Sequence, residues 1–560
     1  MQRYRSAVAV LMLMMGLVFG PSATPAAAAD IGFRDFQFGS SCNSTPTGEK
    51  PESKLWWNAG IWWGSLCATD NHYHIFRLDL ANQSWVDTGT MLDDRPTTKA
   101  DTLWDDVNKK LYVASHVFTT SGAPTSTQSN WGRLYRYSYN AGIYTLDPGF
   151  PVTVTTGKSE TIVLARASNG TLWVTYVESK KVMINHSSGS DTSWGTPFAL
   201  PVTGASNLDS DDISSNIAFD TKTASPKIGV LWSNQNDKKM YFATHIDGAA
   251  DTAWSSFGVY VSSPPSPAAA DDHINIKLQS DGVGVYAVTK TSNSTSSQPL
   301  IVLLSCTGGC DTVGNWHANT VYTRGDNHTR AILLIDTSHG MLNIFSTTPE
   351  SGGNIYRKTT PISNIAFSAG HGDLFIKTAG DTKINNPTST KQNVNSTTGL
   401  VVLASDQSSR RYMHNYDPLG SGPPPPPTAD FSGTPTSGTA PLTVNFSDAS
   451  SGSPTSWAWD FDNNGVTDST AQNPSFIYNN PGTYTVKLTV ANTNGSNTKT
   501  RTNYITVNSA GGPTADFSAM PTSGTAPLTV NFSDLSSGNP TSWAWDFDNN
   551  GVTDSTAQDP

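Results

Sequence analysis

The chain has 560 residues, of which 36% are hydrophobic and 14% charged, against roughly 45–50% and 25% in an average soluble domain. Ser, Thr, Asn and Gly fill the difference, as expected for many short strands joined by turns, and the scarcity of helix formers excludes a long helical bundle. With 34 Lys+Arg against 45 Asp+Glu the net charge is -11, and no Lys/Arg-rich run supplies the basic face that duplex nucleic acid requires.

Residues 1–29 read as a signal peptide. Arg3 and Arg5 precede the apolar run Ala7 to Phe19, and Ala27-Ala28-Ala29 before Asp30 fits a small-residue cleavage site. The run is too short for a membrane span and no later segment is longer, so a secreted, extracellular protein without a span is expected. Its four cysteines then pair as two disulfides. Cys42–Cys67 and Cys306–Cys310 are the favoured pairing, because each closes a short local loop. Zinc at C-T-G-G-C lacks neighbouring His or further Cys as ligands.

Residues 30–420 form one β-rich domain. Strand-like stretches include Lys110-Leu-Tyr-Val-Ala-Ser, Thr171-Leu-Trp-Val-Thr-Tyr, Ile228-Gly-Val-Leu-Trp-Ser and Met341-Leu-Asn-Ile-Phe-Ser. Two markers recur about every 60 residues. The first is a polar turn followed by Trp: Asp191-Thr-Ser-Trp194, Asp251-Thr-Ala-Trp254 and Asp311-Thr-Val-Gly-Asn-Trp316, with Asn82-Gln-Ser-Trp85 a weaker copy. The second marks the approach to each unit's first strand, near positions 99, 158, 211, 272, 327 and 391, with Lys54-Leu-Trp-Trp opening an earlier unit. A shared period predicts a β-propeller of six or seven four-stranded blades, seven favoured, with Ile31 to Phe38 closing the ring beside Gly399-Leu-Val-Val-Leu-Ala404. A β-sandwich and a β-helix are the alternatives. The D-T-x-W turns resemble the Asp-box (BNR) turns of sialidase-type propellers without the full S-x-D-x-G-x-T-W pattern. Phe33-Arg34-Asp35 does not match the F-R-I-P-like segment of that family, so sialidase activity is not expected.

The blade-entry series would gather charged groups from successive blades at one funnel: Lys99, Lys158, Glu160, Asp211, Asp212, Asp272, His273, Asp326, His328, Arg330 and Lys391. They either cap strands and pair with one another or form a glycan site. In polysaccharide lysis, His273 or His328 would take the proton beside a uronate carboxylate while Arg330 neutralises it. The substrate would meet Lys99, Lys158, Glu160, Asp212, Asp272, Asp326 and Lys391. In glycoside hydrolysis, two of Glu160, Asp212, Asp272 and Asp326 would act as an acid and base pair. His72 and His74 share one strand face, as metal ligands or as polar packing. Trp56, Trp57, Trp62 and Trp63 pack between blades or stack on sugar.

Gly420-Ser421-Gly422 and Pro423 to Pro427 make an extended spacer, 421–427. Thr428-Ala-Asp-Phe431 then recurs as Thr514-Ala-Asp-Phe517, and Trp457 and Asp460 recur at Trp543 and Asp546 with the same offset. With Trp457-Ala-Trp-Asp-Phe461 and Pro481-Gly-Thr-Tyr-Thr-Val, the repeat resembles the PKD domain, which implies an immunoglobulin-like β-sandwich acting as a non-catalytic spacer. Residues 428–508 are one copy, 509–513 a linker, and 514–560 an incomplete copy, read as a truncation. Asp460, Asp462, Asn464 and Asp468 place oxygen donors at alternating positions with Gly465 at the sixth, the first part of a calcium loop; Ala471 stands where a bidentate Glu would be. No other cofactor is required.

The sequence thus points to a secreted, monomeric protein that meets extracellular polysaccharide or cell-surface glycan. Degradation by lysis or hydrolysis and non-catalytic binding or adhesion both remain open.

Overall fold

In a computed structural model the described residues are 30–560, apart from 50, 121, 262–269, 421–426, 451–453, 493–494 and 510. The segment read as a signal peptide and most of the proline-rich spacer lie outside them. The chain divides into two compact units, residues 1–421 and 422–560. Regular structure among the described residues is β-strand, with three short 3-10 turns and no α-helix; no helix is long and apolar enough to cross a membrane.

The first unit is a seven-bladed propeller. Each blade is an antiparallel sheet whose first strand lies innermost. These inner strands are Leu55–Asn58, Thr98–Asp105, Val163–Arg166, Ser214–Phe219, Ile274–Leu278, Thr329–Asp336 and Ile384–Thr388, for blades one to seven. Blade two carries a short extra strand, Val152–Thr153. The four apolar stretches legible in the sequence are all second strands: Lys110–Val117, Leu172–Glu178, Lys227–Asn234 and Met341–Thr348. Such strands have sheet on both flanks and blades on both faces. Leu172–Glu178 is accordingly buried at every position, which explains runs of apolar residues without alternation. Tight hairpins join the strands. In blade one Ala59 and Gly60 both have positive φ (52° and 79°), the conformation of a two-residue turn that matches strand twist.

The ring closes on blade seven, where Phe33–Gln37 forms the outermost strand and Phe33 faces His414 across it. Its partner is Arg411–Asp417, not the expected 399–404 stretch, which lies one strand further in as Leu400–Asp406. A second correction concerns the blade-entry series. Five of its six positions, with Lys54 before them, precede or open inner strands, but Lys391 follows one. Blade seven's inner strand reads Ile-Asn-Asn-Pro-Thr, with a register shift between Asn385 and Thr388, so it shows no apolar alternation.

The Trp turns occupy equivalent places, between the third and fourth strands of blades three, four and five. Trp194 and Trp254 each donate their indole N–H to the carbonyl of the Asp three residues earlier, at 2.9 and 3.0 Å. Trp316, after a longer turn, donates to Cys310. Both expected disulfides are formed: Cys42–Cys67 ties the N-terminal segment to blade one, and Cys306–Cys310 staples the turn before Trp316. Trp56, Trp62 and Trp63 are buried in the core, packed edge-on against Trp57 and Tyr144.

The second unit begins with a sandwich of two sheets. Phe431–Thr434, Leu442–Asp448 and Ser475–Tyr478 form one; Ser437–Thr439, Gly495–Asn508, Gly482–Asn492 and Ser456–Asp460 form the other. Phe431, Phe446, Trp459 and Phe461 fill the space between. In the second copy Phe517–Met520 pairs with Asn531–Asp534, and Phe517 and Phe547, equivalents of Phe431 and Phe461, stay exposed.

Candidate functional site

Along an inner strand, alternate side chains point into the channel. In Thr98–Asp105 almost every residue is buried, so the polar members Lys99 and Asp101 must find partners inside the ring. Asp101 is fully buried and joins four blades: it accepts Ser53 N–H and Leu164 N–H, each at 2.8 Å, and pairs with Lys391 Nζ at 2.7 Å. Burial raises its carboxyl from the ordinary value, with Lys391 and the two amides opposing. Lys391 also donates to Leu164 O at 2.6 Å. Lys277, on the inner strand of blade five, reaches Thr390 O at 2.6 Å. Burial, reinforced by Lys391, pushes its ammonium down to about 7, while Asp101 opposes.

A second buried cluster lies beside this one. Glu52 pairs with His116 Nε2 at 2.6 Å and Lys54 Nζ at 2.6 Å, and accepts Ile162 N–H. Burial alone would raise its carboxyl, but Lys54 and His116 outweigh it and hold it at about 2. Lys99 pairs with Glu49 and sits 3.7 Å from the Phe118 ring centroid.

At the ends where the inner strands of blades two, three and five leave the channel, two cavities open, of about 150 and 310 Å³. Leu103, Arg166 and Lys391 line both. The smaller adds Lys277, Ser215 and Asn216; the larger adds Trp56, Trp104, Asp105 and Asp106. Arg166 stands 3.5 Å from Asp105, and its buried Nε has no hydrogen-bond partner. Ser215 Oγ and Asn216 Oδ1 are buried and unpartnered as well. The mouth therefore combines three basic side chains, an aromatic wall and unused polar atoms, the composition of a site for a polar ligand with an anionic group.

Of the charged residues proposed from sequence only Lys391 lines these cavities, and of the tryptophans only Trp56 does. The others cluster where inner strands enter. Asp211, Asp212, Asp272 and His273 lie together between blades four and five. Burial, with the charge of Asp272, raises the Asp211 carboxyl, and burial raises that of Asp212. His273 is held by Asp271 at 2.9 Å, by Asp272, and by Thr329 Oγ1 at 3.0 Å. His328 is fully buried between blades five and six, its ring 3.7 Å from that of Tyr322. Both its nitrogens are engaged, with Ser346 and His371, and burial pushes it down to about 3. Asp326 caps its own turn through Thr323. Arg330 makes one long contact to Glu350 O, Lys158 sits in a two-residue strand paired with Ala123–Pro124, and Glu160 is buried. Sequence reasoning missed Glu49, Glu52, Asp101, Arg166 and Lys277. The available signal was a charge at an alternating position inside an apolar strand, as in Ile274-Asn-Ile-Lys-Leu.

In the PKD-like sandwich, carboxylate oxygens of Asp460, Asp462 and Asp468 all lie within 4.8 Å of one another, and Asp546, Asp548 and Asp554 repeat the arrangement. Asp460 accepts Asn464 and Gly465 N–H, and Asp468 accepts Phe461 N–H at 2.7 Å.

Residues 423–507 match the family model of the PKD domain. No curated protein matches the chain. Among solved structures, the chain is similar to a protein from a study of carbohydrate-binding modules of the β-sandwich superfamily, at 26% identity and a TM-score of 0.14; the match covers 19% of this chain and 52% of that one, about half its length. It is similar to polysaccharide lyase Uly1 at 11% identity, covering 66% and 90%, with a TM-score of 0.37. A Penicillium chrysogenum α-L-arabinanase complexed with arabinobiose matches at 10% identity, covering 61% and 100%, also at 0.37.

Proposed function

We propose that this is a secreted protein whose propeller binds an acidic extracellular polysaccharide at the exit mouth of its channel, with the PKD domain as a spacer. The observation that carries the reading is Arg166 beside Lys391, with an unpartnered Nε, at a mouth walled by Trp104. A guanidinium receives a carboxylate or sulfate through paired N–H bonds, and an indole face receives a sugar ring. In this reading His273, His328 and Arg330 hold the entry face together, and Lys99, Lys158, Glu160, Asp212, Asp272 and Asp326 are part of that framework. Calcium at Asp460, Asp462, Asn464 and Asp468 stiffens the spacer.

Retardation of the secreted protein in gels containing acidic or neutral polysaccharides tests this. Acidic polymers should retard it, and Arg166→Ala should weaken retardation about tenfold. Equal retardation by neutral polymers would defeat the reading.

Lys277 favours a second reading, elimination within the bound uronate. An amine pushed down to about 7 and lining the channel beside Arg166 and Lys391 has the poise of a general base. Unsaturated uronate, followed by ultraviolet absorbance, should then accumulate with the unmodified protein and not with Lys277→Met. No absorbance change with any acidic polymer would leave binding alone.

A further inference from the structure

We propose that Asp70, His72 and His74 bind a borderline divalent transition-metal ion of the Zn²⁺ class on blade one, independently of the glycan reading. The three residues lie in and after the turn that joins Ile61–Cys67 to Tyr73–Asp79. Asp70 Oδ2 stands 3.3 Å from His72 Nδ1 and 3.4 Å from His74 Nε2. Charge-assisted hydrogen bonds between such groups are shorter, about 2.7–2.9 Å. A tetrahedral ion with bonds of about 2.0–2.1 Å, in contrast, sets its ligand atoms about 3.3–3.4 Å apart, since a tetrahedron's edge is about 1.63 times its centre-to-corner distance. The three donors all lie within 4.8 Å of one another.

The surroundings orient these donors. His74 Nδ1 is 2.8 Å from Asp87 Oδ2, which fixes the tautomer that leaves a lone pair on Nε2. Asp70 Oδ1 accepts the His72 backbone N–H at 3.0 Å, so Oδ2 is the oxygen turned to the imidazoles. The turn is anchored: Asn71 accepts Ser41 N–H at 2.7 Å, and the Cys42–Cys67 disulfide lies just before it. His74 is 12% exposed in its side chain, but His72 and Asp70 are 41% and 50% exposed, so an ion enters from solvent and water completes the fourth position. Two imidazoles and one carboxylate suit zinc, cobalt or nickel; calcium and magnesium prefer an all-oxygen shell.

Cobalt(II) titration of the chelator-treated full chain, with millimolar calcium and magnesium present to occupy carboxylate clusters, tests this. The expected result is one equivalent with the intense visible bands of a four-coordinate ion, displaced by one equivalent of zinc. His72→Ala and His74→Ala should each abolish the bands. Asp87→Asn should weaken binding about 10–100-fold. His72 is exposed enough that its variant should fold normally, by circular dichroism. Absence of the bands, or bands of equal intensity in His72→Ala, would overturn the proposal.

Discussion

Asp101 and Glu52 show how a propeller uses charge where a globular core would use apolar side chains. Each is fully buried: Asp101 ties blades together through Ser53 and Leu164 N–H and Lys391, and Glu52 through Ile162 N–H and His116, with Lys54 two residues on as a further partner. Removing one partner of such a pair leaves a buried charge and costs about 3–5 kcal/mol. The two clusters respond to pH in different ranges. Glu52 is depressed from 4.5 to about 2, so its contribution is complete above pH 4.5 and is lost as pH falls towards 2. That contribution is on the order of 3 kcal/mol. Acid unfolding of Glu52→Gln should start from a lower stability at pH 7 and lack this loss; an unchanged acid profile would contradict the assignment. Lys277 is depressed from 10.5 to about 7. The unfolded chain then binds the proton more tightly between those values, and stability should rise with pH across that window. The slope approaches 1.4 kcal/mol per pH unit. Denaturant titrations of Lys277→Met from pH 7 to 9.5 should lack the rise that the unmodified protein shows.

At the scale of elements, the PKD loop from Asp460 to Asp468 offers three carboxylates within one turn. If calcium occupies it, binding to the folded form adds RT ln(1 + [L]/Kd), about 0.4 kcal/mol at a concentration equal to Kd and about 1.4 at tenfold excess. Calorimetric unfolding of the full chain should show one transition moved upwards by calcium and returned by chelator. An Asp462→Asn, Asp468→Asn double variant should be insensitive; a transition that moves equally in that variant would place the ion elsewhere. Second strands and Trp turns were legible in the sequence because burial on both faces writes itself as continuous apolar residues, and because the turn repeats with the blade. Blade seven's inner strand was not, since Asn385-Asn386-Pro387 interrupts any alternation. The N-terminal closing strand was expected on this blade, but its partner, Arg411–Asp417 in place of 399–404, was not, since no local pattern records a pairing between the two ends of the unit.

For the whole propeller, the 60-residue period foretold the radial fold, while the proposed binding mouth lies at the other end of the inner strands from most residues that the period marks. Asp326, His273 and His328, ahead of inner strands, are held within their turns or by neighbouring groups at the entry ends. The cations at the cavities come from inside or just after inner strands: Arg166, Lys277 and Lys391. Alternation within a short strand assigns one polar face without telling whether that face meets solvent or a channel, so the alternating charge of Lys277 in Ile274–Leu278 marks a polar face but not a channel. In the proposed reading Arg166 and Lys391 receive an anionic sugar. The most direct test of this reading is isothermal titration of the protein with one uronate-containing polysaccharide and with the same polymer after chemical reduction of its carboxylates. The account predicts binding to the first, weakened about tenfold or more by carboxyl reduction and by Arg166→Ala alike. Equal affinity for the native and reduced polymers would contradict it.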